Sequence, residues 1–165
     1  MDEWHDFFLA QAGAAGVLTG LVFVGVSINL EKIISDPNSG LPGRAAEALI
    51  LLVAVLMMST SLLVPGQGAV IVGAEVLGLG VAAFVWILAI HLLRIRDWAT
   101  MGSDFRKTFV LRVALGQIAL LTLVVAGIAV ITLGPGGLYW LVAGTNLAIL
   151  VALFDAWVLL VEINR

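Results

Sequence analysis

Apolar residues along this chain come in long, nearly uninterrupted runs. Five stand out, over about residues 7–30, 45–64, 69–93, 108–133 and 138–163. Each is apolar around most of a helical circumference and reaches the roughly 20 residues that a helix needs to cross the hydrocarbon core of a bilayer. Period-two alternation is absent, and the runs exceed the about 9 to 11 residues of a transmembrane strand. Only helices and closed barrels satisfy every backbone hydrogen bond in lipid. The pattern therefore predicts an all-α membrane protein with five transmembrane helices, in one integral membrane domain over residues 1–165.

The polar breaks between the runs set the topology. Pro65-Gly66-Gln67-Gly68 joins the second run to the third, and Gly134-Pro135-Gly136-Gly137 joins the fourth to the fifth. Turns this short predict tight antiparallel hairpins. The other two breaks are longer and charged. Residues 31–44 contain the turn-rich stretch Ser35-Asp36-Pro37-Asn38-Ser39-Gly40, and residues 94–107 contain Arg94, Arg96, Asp97, Asp104, Arg106 and Lys107. Neither is long enough to separate two domains. An offset of 71 residues aligns Gly66 with Gly137, Gly73 with Gly144, Glu75 with Asn146, Trp86 with Trp157, His91 with Glu162 and Arg94 with Arg165. This suggests a duplicated helical hairpin, against the plainer alternative that two Gly-, Leu- and Val-rich helices match by composition.

Composition narrows the class further. Of 165 residues, 62% are hydrophobic and 12% charged, and the mean hydropathy is +1.15. A water-soluble domain of this size could not bury so much apolar surface, and the same excess excludes disorder. The absence of cysteine excludes disulfides and thiolate metal sites. A net charge of −3 argues against nucleic acid as a partner.

The cations carry orientation. All eight (Lys32, Arg44, Arg94, Arg96, Arg106, Lys107, Arg112 and Arg165) fall on the side that holds the two longer loops and the C-terminus, or just inside its interface. The positive-inside rule then places the N-terminus outside and the C-terminus in the cytoplasm. Met1-Asp2-Glu3-Trp4-His5-Asp6 is acidic, unlike the basic start of a secretory signal, so no cleaved leader is expected. Trp4, Phe7, Phe8, Tyr139 and Trp140 suit the outer interface and Trp98 the inner one.

Two ionisable residues lie deep inside predicted spans, Glu75 and Asp155. Such groups are costly in lipid and must be protonated, paired or hydrated, which makes them functional candidates. By depth, Asp155 can meet Gln117, Arg112 and His91, while Glu75 can meet Asn146, Thr145, Gln11 and Ser59-Thr60-Ser61. Two readings stand: polar layers lining a path for protons, ions or a small solute, or a helix-joining pair of Asp155 with Arg112 or His91 beside a Glu75 held against Asn146. Small residues mark packing faces. Ala12, Gly16 and Gly20 recur every fourth residue in the first run, and Gly144, Ala148, Ala152 and Ala156 do so in the last. At about 100° per residue Asp155 falls about 20° from Gly144, which turns it toward a neighbouring helix.

Catalysis finds no footing. His5 and His91 are expected on opposite sides of the membrane, so they cannot share a metal. Ser59 and Ser61 lie at the opposite depth from His91, so no serine, histidine and acid assemble. Gly66-Gln67-Gly68 and Gly78-Leu79-Gly80 lack the strand and lysine of a phosphate loop. No cofactor is expected. Arg94, Arg96, Arg106 and Lys107 form a basic inner loop that sets topology or holds anionic lipid headgroups.

The stretch Trp4-His5-Asp6-Phe7-Phe8 to Ala14-Ala15-Gly16, followed by Leu21-Val22-Phe23-Val24-Gly25-Val26-Ser27-Ile28-Asn29-Leu30, resembles a group of small multipass membrane proteins of high-GC bacteria. Six arginines beside two lysines fit such a source. Some members of that group are labelled modulators of the FtsH membrane protease. The resemblance covers mainly the first 30 residues and transfers no catalytic or binding residue. The expected role is accessory or regulatory and non-enzymatic, through helix packing with itself or a larger membrane complex. The alternative is a homo-oligomeric ion channel or proton-coupled small-solute transporter using Glu75 and Asp155.

Overall fold

Gly40 and Pro42 explain why the second apolar run becomes helical earlier than its hydropathy suggests. Gly40 takes a left-handed conformation (φ 85°) that an L side chain resists, and Pro42 sits in the first turn, where its missing N–H costs nothing. In the computed structural model, which describes residues 2–35, 40–95 and 103–163, this helix runs Leu41–Ser61 as α3. It follows α1 (His5–Ile28) and a short α2 (Leu30–Ser35), and precedes α4 (Ala69–Ile95), α5 (Ser103–Leu133) and α6 (Leu138–Ile163). Every described element is helical. Four stretches are long and apolar enough to cross a membrane: His5–Ile28, Leu41–Ser61, Ala69–Arg94 and Phe109–Val161.

The breaks are built by local chemistry. Asn29 interrupts α1 by donating its side-chain amide to the Gly25 carbonyl at 2.9 Å, and the helical bond from Ile33 N to Asn29 O restarts the chain as α2. Gly66 (φ 79°) and Gly134 (φ 63°) occupy the left-handed region at the two Pro/Gly connections. The second of these winds as a 3-10 turn over Gly134–Gly137, which ends α5 and begins α6 inside the longest apolar stretch.

The chain packs as two compact units, residues 1–68 with 148–165, and residues 69–147. In the second unit, α4 and α5 run antiparallel at very close range. A Cβ on Gly127 would lie 2.6 Å from the Leu77 nitrogen, one on Gly73 would lie 2.9 Å from the Gly127 carbonyl, and Gly80 faces the Val124 backbone. Such approach suits lipid, where dispersion contact and not water exclusion draws helices together. The start of α6 folds back on α5, with Gly137 against Ala129 and Val130 and Gly144 against Leu123.

In the first unit, α1 packs antiparallel on α3, where a Cβ on Gly16 would lie 3.8 Å from the Leu56 side chain and the Ser59 hydroxyl bonds to Gln11. Ile33, Ala45 and Leu159 form a small core with Val26 and Leu41 packed on it. The small-residue stripe of the first run is only partly enclosed. The buried face of α1 is Phe8, Gln11, Ala15 and Val22, so Ala12 and Gly16 flank it and Gly20 is exposed with open space around it. At about 100° per residue Gly20 points roughly 150° away from the centre of that face. Phe8 is buried, with Trp4 stacked on it at 6.1 Å. Trp98 lies outside the described residues.

Candidate functional site

Because α3 begins at Leu41, Arg44 and Glu47 lie in its first two turns, one helical turn apart. Arg44 Nη1 is 3.2 Å from Asp155 Oδ1 of α6, with the two side chains 14% and 2% exposed. Asp155 thus pairs with Arg44, where Arg112 or His91 was the expected cation. The difference follows from the helix start. A helix beginning at Ala45 leaves Arg44 in a loop, whereas one beginning at Leu41 aims it along a face toward the α6 carboxylate. Glu47 is fully buried on the same helix. It escapes notice in the sequence because it stands only two residues inside the predicted run, where an acid reads as interfacial. Gly40 followed by Pro42 is the signal that would have moved it inward.

The remaining polar residues fall into separate local sets. In α4 and α5, Gln117 Nε2 lies 3.4 Å from His91 Nδ1, and the buried His91 ring meets Phe109 edge to face at 6.1 Å. In α1 and α3, the Ser59 hydroxyl donates to Gln11 Oε1 at 3.2 Å. Thr60 and Thr145 donate back to their own helices, to Leu56 O and Leu141 O. Of the residues expected around Glu75, Thr60 and Thr145 thus bond within their own helices, and Gln11 and Ser59 bond to each other. Glu75 is half-buried with its Oε2 inside, whereas Asn146 is exposed. The last-helix stripe does face inward: Gly144, Ala148 and Ala152 are buried, as is Asp155.

The proposed internal repeat is mirrored at some positions and not at others. Gly73 and Gly144 are both buried against α5, and Trp86 and Trp157 are both exposed. Glu75 and Asn146 differ in burial, and the side chain of Glu162 and residue Arg165 lie outside the described residues. Of the basic inner loop, Arg94 and Arg106 are half-buried, while Arg96 and the Lys107 side chain lie outside the described residues. Arg112 is half-buried in α5. Among the described residues no three acidic or histidine side chains gather as a metal site.

No family model, curated protein or solved structure matches the chain.

Proposed function

We propose that the chain is a bacterial inner-membrane protein of five crossings that acts as a non-enzymatic accessory or regulatory subunit, through helix packing with itself or a larger membrane complex. The observation that carries this reading is the ion pair of Arg44 with Asp155. A carboxylate 2% exposed and held by a guanidinium joins two helices; a conducting or exchanging carboxylate must instead meet water and ions during each cycle. The bonds of Gln11 to Ser59 and of Gln117 to His91 have the same helix-joining character.

The count of five rests on length. The apolar stretch Phe109–Val161 holds 53 residues, which as one helix would be about 80 Å long against a core of about 30 Å. The 3-10 turn at Gly134–Gly137 within that stretch supports two crossings over one. The eight cations then favour an outer N-terminus and a cytoplasmic C-terminus. Arg94, Arg96, Arg106 and Lys107 are positioned by that orientation to meet anionic headgroups.

A second reading, a homo-oligomeric channel or proton-coupled transporter, draws on Glu75, whose carboxyl group is partly inside. Purified protein reconstituted in liposomes under a proton gradient separates the two. The accessory role expects no flux above empty vesicles. A flux that Glu75→Gln abolishes would establish transport in its place.

A further inference from the structure

We draw no further inference here: the strongest candidate, the open apolar groove between α1 and the second half of α6 lined by Leu18, Leu21, Gly25, Ile33, Leu153 and Ala156, carries none because nothing in the structure shows what covers it.

Discussion

Asp155 and Arg44 define the energetics of individual side chains in this protein. A buried pair adds little net stability against an apolar substitute, but removing one partner strands a charge. Asp155→Ala should lower the thermal midpoint in detergent by about 6–12 °C, from a loss of about 3 kcal/mol spread over a chain of this size. The double variant Arg44→Met with Asp155→Leu should recover most of that loss. A double variant no better than the single one would count against the pair as a joining device. Glu47, fully buried one turn from Arg44, places a further acid in this part of α3.

Between helices, glycine rather than leucine sets the geometry. Gly127 sits against the Leu77 backbone, so any Cβ there must push α4 from α5. Gly127→Val is expected to destabilise by about 1–3 kcal/mol, as overpacked cores do. Gly78 on the same α4 has nothing within 4 Å. Gly78→Ala should be neutral or stabilising by up to about 1 kcal/mol, the helix-propensity gain. Denaturation in a mixed micelle of detergent and dodecyl sulfate reads both. Equal effects at the two positions would mean that the close α4–α5 seam does not form. None of these seam glycines belongs to the two stripes that the fourfold spacing picks out. A spacing of small residues tells that a backbone can approach, not which partner does.

Over the whole chain, the two Pro/Gly connections and the α2 region are expected on opposite sides of the membrane. With no native cysteine in the way, Gln67→Cys and Gly136→Cys should react with an impermeant maleimide in intact cells. Ser35→Cys should react only after permeabilisation. Labelling of Gln67→Cys and Gly136→Cys from opposite sides would show that the 53-residue stretch does not cross twice. The reverse pattern for all three would invert the orientation while leaving the crossing count intact.

Helical class and the positions of the helices follow from hydropathy alone, because lipid permits no other arrangement for apolar runs of this length. The observed helices match the five runs to within a few residues at most ends, and those adjoining the Gly134–Gly137 turn match to the residue. The inward turn of Asp155 was also readable, since its angle to Gly144, Ala148 and Ala152 is set by helical periodicity. Pairing was not. Which cation meets Asp155, which side of α1 packs, and which glycines carry the closest seam depend on residues far apart in the chain, such as Arg44 with Asp155, Gln11 with Ser59, and Gly127 with Leu77. Depth and the angles within one helix, which a linear sequence supplies, leave several partners at each level. Rotation about each helix axis and the choice of neighbour decide among them, and both are set only when the helices pack.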